Sequence, residues 1–410
     1  SDDSRIESRL KLAMVCFAAG RFESKLGESA GAEMFRESVD LLRGCVRQQP
    51  VYRYRDTLAS VCLFAGQSAF DWNAYDDADG YFREAIEQRR AILDVSPTSA
   101  ARRELAKALQ ERASGLLHTN VVTEAEQVLR ESKQLYQHVI EHEAIPADYS
   151  DFALVCFGLA EIHESRGQSS DACSLYKLVI QVLLNQKDAN QNSQSLQSLV
   201  HAHIWVATYA DHDGDAYSAS NHLQESLRLS LRLLQKDSSE ENLVDFLQLT
   251  INSYAYLSTS GITPDVQLLE SCAELVRKTS TRDESHATSF MCVAVLALLA
   301  IVGVTIPVES RSGLLKQAQT TLERIKARGL NGVAPEVHAM TMIAGHEAEV
   351  SLGWIEVSPH QRCAHLKQIE TLFRNTWDED LADIAPKAMQ YLAGLRSRWG
   401  CDSTGSQLLQ

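Results

Sequence analysis

The chain has 410 residues, 45% hydrophobic and 23% charged, with 20 Gly and 8 Pro. Those proportions exclude a disordered or linker-like polypeptide and supply enough apolar surface for a continuous core. Its net charge is −15, from 54 acidic and 39 basic residues. With no Lys/Arg stripe among aromatics, that balance excludes the basic footprint a nucleic-acid binder needs.

The opening stretch, "SDDSRIESRL", has no apolar signal-peptide segment, and its start without Met leads us to expect a domain excised from a longer polypeptide. Nine Cys are scattered from Cys16 to Cys401 with no C-x-x-C pair, most inside apolar runs such as "AMVCFAA" and "SVCLFAG". They read as buried, reduced core residues, and the expected compartment is cytoplasmic.

A period of 47 residues runs through the first half of the chain. "FRES" at Phe35, "FREA" at Phe82 and "LRES" at Leu129 open a bulky column that continues at Tyr176 and Leu223. Four residues earlier stand Gly31, Ala78, Ala125, Ala172 and Ala219; three residues later stand Ser38, Ala85, Ser132, Val179 and Ser226. Small, bulky and small at i, i+4 and i+7 share one helix face. A further small column lies upstream, at Ala19, Gly66, Ala113, Ala160 and Ala207, on a separate helix. Small residues let two helix axes approach while the bulky side chain fills the neighbouring hole.

Turn chemistry separates the paired helices: "HTN" from His118, "RGQSS" from Arg166, "DHDGD" from Asp211. Pro50, Pro97 and Pro146 mark boundaries between repeats. Each repeat is therefore expected to be an antiparallel helical hairpin that buries its apolar face only by stacking on its neighbours.

These columns resemble the tetratricopeptide repeat family, whose usual period is about 34 residues. The longer period here is similar to the long-repeat variants of bacterial signalling proteins. The resemblance implies an all-α, right-handed superhelix of about seven to eight stacked hairpins plus a closing helix. We expect one domain over residues 1–400, with regular repeats over 5–235, degenerate repeats over 236–378, a capping helix over 379–399 and a flexible tail over 401–410. The polar stretch 185–195 is expected to be a mobile loop. In the degenerate part, Ser253, Leu269, Cys272 and Ala300 fall near the columns, and residues 344–354 with 362–373 read as a last hairpin. Pro386 should kink the closing helix or mark its start. The apolar run 290–304 has 15 residues, too short for a membrane span of about 20, and reads as a buried helix.

Catalytic constellations are weak. His138 and His142 have the i, i+4 spacing of a shared metal but no further ligands. His201 and His203, two apart on a helix, face different ways. "DHDGD" has the composition of a turn, and "HEAEV" at His346 lacks the second His of a zinc-protease motif. No metal, cofactor or catalytic residue is expected.

The resemblance also places a concave groove along the first helices. On this sequence its positions are Leu63, Gln67 and Phe70; Lys107 and Gln110; Leu154, Phe157, Glu161 and Glu164; and His201, Ile204, Thr208 and Asp211. Apolar residues alternate there with carboxylates, which suits an apolar segment carrying basic residues. The expected function is a non-enzymatic protein-binding scaffold, a regulatory module of a kinase- or protease-associated bacterial polypeptide, with no membrane or nucleic-acid partner. The alternative is a metal-dependent enzyme or ion-binding protein using residues 201–215. Self-association through exposed terminal hairpins is a further expectation.

The register makes a stability prediction. Ala160→Leu overpacks the hairpin junction and lowers unfolding free energy by roughly 1–3 kcal/mol. An unchanged thermal midpoint would show that the small column has been placed on the wrong residues.

Overall fold

The computed structural model describes residues 2–25, 30–186, 193–260, 262, 265–280 and 367. These form twelve α-helices: α1 (Asp2–Lys25), α2 (Ala30–Gln48), α3 (Tyr52–Asp71), α4 (Tyr75–Val95), α5 (Ser99–His118), α6 (Val122–His142), α7 (Pro146–Ser165), α8 (Ser169–Leu184), α9 (Ser193–His212), α10 (Ala216–Lys236), α11 (Glu240–Ser260) and α12 (Val266–Ser280). The expectations for 290–304, 344–354, 362–373, 379–399 and 401–410, with Ala300, His346 and Pro386, lie outside the described residues. The chain divides into two compact units, Ser1–Tyr209 and Ala210–Gln410.

The 47-residue period is written into the helix boundaries. First helices begin at Tyr52, Ser99, Pro146, Ser193 and Glu240, each one period after the last. Second helices begin at Tyr75, Val122, Ser169 and Ala216 in the same step. The three-residue loops inside the hairpins share one conformation. Their middle residues, Asn73, Asn120, Gly167 and Gly214, have φ of 59°, 61°, 71° and 78°. This left-handed region costs most residues about 1–2 kcal/mol, and Gly and Asn least. The following amide closes each helix with a 2.8 Å bond to a carbonyl five residues back: Ala74 to Ala69, Val121 to Leu116, Gln168 to His163 and Asp215 to Ala210. Pro50 and Pro97 lie in the links between hairpins, and Pro146 opens α7 where no helical N–H is needed.

In the first unit α1 packs on α2, α3 on α4, α5 on α6 and α7 on α8; α2, α4 and α6 each pack on the next first helix, and α3, α5 and α7 contact one another in series. The columns are its core. Phe35, Phe82, Leu129 and Tyr176 are all at most 3% exposed, and Ser38, Ala85, Ser132 and Val179 are fully buried. Buried serines need acceptors. Ser38 and Ser132 donate to the carbonyls of Ala13 and Ala106, each at 2.8 Å, tying second helix to first.

The first repeat departs from the expected register. Ala19 is only half-buried, whereas Gly20 is buried. A β-carbon on Gly20 would lie 2.7 Å from Cε1 of Phe35, as one on Gly66 would from Cε1 of Phe82. Gly20, not Ala19, therefore holds the small-column position, so α1 sits one residue out of step with the later first helices. The serine acceptors agree: Ala13 and Ala106 are 93 residues apart rather than twice 47.

A tie that periodicity reading missed joins successive second helices. Arg43 pairs with Glu84 at 2.5 Å, and one period later Arg90 pairs with Glu131 at 2.7 Å. Asp148, fully buried at the start of α7, accepts from Ile145 N at 2.8 Å and from Arg103 of α5. Of the stretch 185–195 expected as a loop, Ser193 to Ser195 belong to α9 instead, and Ser195 is buried with its Oγ 3.5 Å from that of Ser150.

In the second unit α10 packs against α11 and α12. Arg228 of α10 pairs with Asp265 at 2.6 Å, which holds the Asp265 carboxyl below the usual carboxylate range. Ser253, Cys272 and Ala273 are buried, but of these only Ala273 keeps the 47-residue step, and Glu270, at the bulky position, is exposed. The side chain of Leu269 lies outside the described residues. Cys16, Cys45, Cys62, Cys156 and Cys272 are buried free thiols, and Cys173 is a half-buried one. Among the described residues no helix is long and apolar enough to cross a membrane.

The slip in the first repeat predicts a contrast. Gly20→Leu drives a side chain into Phe35 and costs roughly 1–3 kcal/mol or more. Ala19→Leu, on the open side of the single subunit, moves the stability of the dissociated subunit by less than about 1 kcal/mol. Chemical denaturation of the two variants checks the assignment, and the reverse order would restore Ala19 to the column.

Candidate functional site

The residues expected to line a groove separate into three groups. On α3, Leu63 is half-buried against the core and Phe70 packs on Tyr75 and His118, with ring centroids 5.5 and 5.1 Å away. Tyr75 Oη donates to Asn73 Oδ1 at 2.6 Å and lies 2.9 Å from His118 Nε2. Leu63 and Phe70 are thus engaged in packing, while Gln67 is exposed.

On α5, Lys107 is exposed and Gln110 half-buried, with the Gln110 amide oxygen buried and unpaired. Lys107 faces Asp151. Burial raises the Asp151 carboxyl, while the hydroxyl of Tyr136, 3.3 Å away, and the Lys107 charge oppose the rise.

The third group converges. Leu154, Phe157, Glu161 and Glu164 lie on α7 at spacings of three and four, one face of the helix. Leu154 is 51% exposed, Glu161 exposed, and Phe157 and Glu164 half-buried. Across from them α9 presents His201, with its ring centroid 4.8 Å from that of Phe157. Ile204 is half-buried and Thr208 exposed on the same helix. Asp211 is exposed and belongs to the second unit; with burial and Asp215 it pushes the Tyr256 hydroxyl up to about 12.

Three aromatics that the groove positions did not include complete this group. Tyr176 of α8 stacks on Trp205 of α9, with planes 9° apart and centroids 5.6 Å apart. Phe157 lies 5.6 Å and Tyr209 6.2 Å from Tyr176. Glu164 sits beneath them and accepts the hydroxyl of Tyr176 at 3.2 Å and that of Tyr209. Burial, and then this carboxylate, push both phenols well above their ordinary range. Trp205 Nε1 donates to His201 Nε2 at 2.9 Å. Although the residue keeps an open edge, packing against Phe157 desolvates the His201 ring and lowers its pKa against the pull of Glu164. The sequence did hold a signal, since His201, Trp205 and Tyr209 follow one another at i+4 on α9.

Chemically this is an aromatic surface with carboxylates set into it. Among the described residues neither Glu161 nor Glu164 has a cationic partner within ion-pair distance. Aromatic faces attract cations, and an alkyl stem covers the apolar part while the charge reaches a carboxylate.

The metal-capable residues do not gather. His138 and His142 stack at 4.1 Å, and His142 Nδ1 lies 2.8 Å from the His138 carbonyl. His201 is exposed and His203 buried, so they do face different ways. Asp215 caps α10 by accepting from Ser218 N at 2.9 Å. Among the described residues, no three His, Cys, Asp or Glu side chains are arranged to hold a metal.

No family model matches the chain, and no curated protein matches it. It is similar to solved structures of helical proteins. One is the nuclear import adaptor Nro1 of S. pombe, at 15% identity over 70% of this chain and 99% of that one, TM-score 0.46. Another is aspartyl phosphate phosphatase F of Bacillus subtilis, at 15% over 80% and 73%, TM-score 0.43. A third is a signal-transduction ATPase of Pyrococcus horikoshii with a tetratricopeptide repeat sensor, at 12% over 78% and 42%, TM-score 0.42. Likenesses at this level carry nothing about ligand or reaction.

The His201–Trp205 pair gives a pH prediction. Its folded pKa lies below the unfolded value of about 6.5. As pH falls through 6.5 the unfolded chain takes the proton first, so the folded state loses stability until the pH is below the depressed value. Urea titrations over this window should show less pH dependence in His201→Gln, whose amide oxygen still accepts from Trp205. An equal slope in both proteins would place the proton elsewhere.

Proposed function

We propose that the chain is a protein-interaction module whose α7–α9 face takes an apolar segment bearing a lysine or arginine. The observation that carries this reading is Glu164. Its carboxylate is half-buried, holds two phenol hydroxyls, and is surrounded by Phe157, Tyr176, Trp205 and Tyr209 with no resident cation among the described residues. A carboxylate in such surroundings gains from a cation delivered by a ligand, because the local dielectric is lower than that of water. Glu161, exposed one turn earlier, adds a second charge, and Leu154 an apolar contact. On this reading the extended register supplies an address rather than a reaction. A module that binds without turnover acts on whatever activity its polypeptide or partner carries, as a regulatory arm would.

A selection against a random peptide library tests this on the native chain, on Glu161→Lys and on Glu164→Gln. Glu164→Gln keeps acceptors for both phenols while removing the charge. The expected result is enrichment of peptides with a basic residue beside apolar ones on the native chain, weakened in both variants and by added salt. No enrichment, or the same motif on all three proteins, would overturn it.

A further inference from the structure

The first helix carries an apolar face that its successors bury and it does not. Allowing for the one-residue slip, Leu12, Val15, Ala19 and Phe22 of α1 correspond to Leu58, Val61, Ala65 and Ser68 of α3. All four α3 residues are at most 7% exposed, and Leu58 and Val61 sit in one cluster with Val39, Leu42 and Cys45 of the preceding α2. In α7 the same positions are Phe152, Val155, Leu159 and Ile162, all at most 2% exposed. In α1, by contrast, Leu12 is 48%, Val15 64% and Phe22 66% exposed. Scattered exposed apolar residues are ordinary, but a stripe over three helical turns at positions built for burial marks an interface.

We infer that this face pairs two copies of the chain, α1 against α1, antiparallel about a two-fold axis near Val15. Such an axis makes the contact self-complementary and closed. It sets the large Phe22 over the small Ser8 of the second copy, and Leu12 over Ala18 and Ala19, so large meets small on either side of the axis, where Val15 meets its own copy. On one flank it brings the exposed Arg5 to Glu23 of the second copy, opposite charges across the seam. The small residues let the two axes approach closely, as they do inside each hairpin.

Sedimentation equilibrium on the full 410-residue chain tests the pairing. The expected mass is that of a dimer, and Val15→Glu raises the dissociation constant by about a hundredfold or more, because a charge is forced into an apolar seam. Val15 is exposed in the single chain, so the far-UV circular dichroism and thermal midpoint of the isolated variant subunit stay in place. Arg5→Glu weakens the dimer, and Arg5→Glu with Glu23→Arg restores it. A monomer at every concentration overturns the proposal, as does a dimer indifferent to Val15→Glu. Growth beyond the dimer with rising concentration would mean a head-to-tail contact and overturns the two-fold arrangement.

Discussion

The close approach of two helices at one small residue is the constraint on which the other features of each repeat depend. Phe35 and Phe82 press their rings against Gly20 and Gly66, where even one β-carbon would lie at 2.7 Å. Where the bulky residue is Leu129 or Tyr176, alanine suffices at Ala113 and Ala160. With the crossing set this way, the serines at Ser38 and Ser132 come within reach of first-helix carbonyls, and their buried hydroxyls are satisfied. The three-residue hairpin loops then have one length and one left-handed centre, and the period follows. A packing rule of this kind tolerates wide sequence change at other positions, because it demands size at a few places and only apolarity elsewhere.

The candidate site grows out of the same column. At its fourth position the bulky residue is Tyr176, 2% exposed. A buried phenol must find an acceptor, and Glu164 provides it. That bond holds a carboxylate among rings, and Tyr209 adds a second donor from α9. A residue that elsewhere only fills a hole here fixes a charge in an apolar setting. The cluster is chemistry obtained by a single substitution in a structural register.

The same rule accounts for the exposed stripe of α1. Every first helix needs two apolar faces, one for its own partner and one for the hairpin before it, and α1 keeps both. Its middle, residues 12–20, is accordingly apolar on every side, as suits a helix enclosed by neighbours.

Much of this was legible in the sequence. The columns and the paired helices followed from residue size at fixed spacing, because packing one hairpin on the next imposes the same sizes each time; the turns at 119–121, 166–168 and 213–215 followed from their composition, and the burial of five of the six described cysteines from their apolar neighbours. Phe157, Glu164 and His201 were named as groove positions by the resemblance to the repeat family, and residue size alone would not have picked them out. What the sequence could not settle were matters of contact between residues far apart in it. Ala19 and Gly20 are both small, so only the ring of Phe35 could say which one lies beneath it. Leu63 and Phe70 read as groove positions, yet neighbouring side chains draw them into packing. The i+4 run of His201, Trp205 and Tyr209 gains its meaning only when Tyr176 and Glu164 are brought beside it. Size and period are local properties that the chain carries along its length. Which polar atom meets which ring is decided only when helices 45 residues apart in sequence, as Glu164 and Tyr209 are, come to lie side by side.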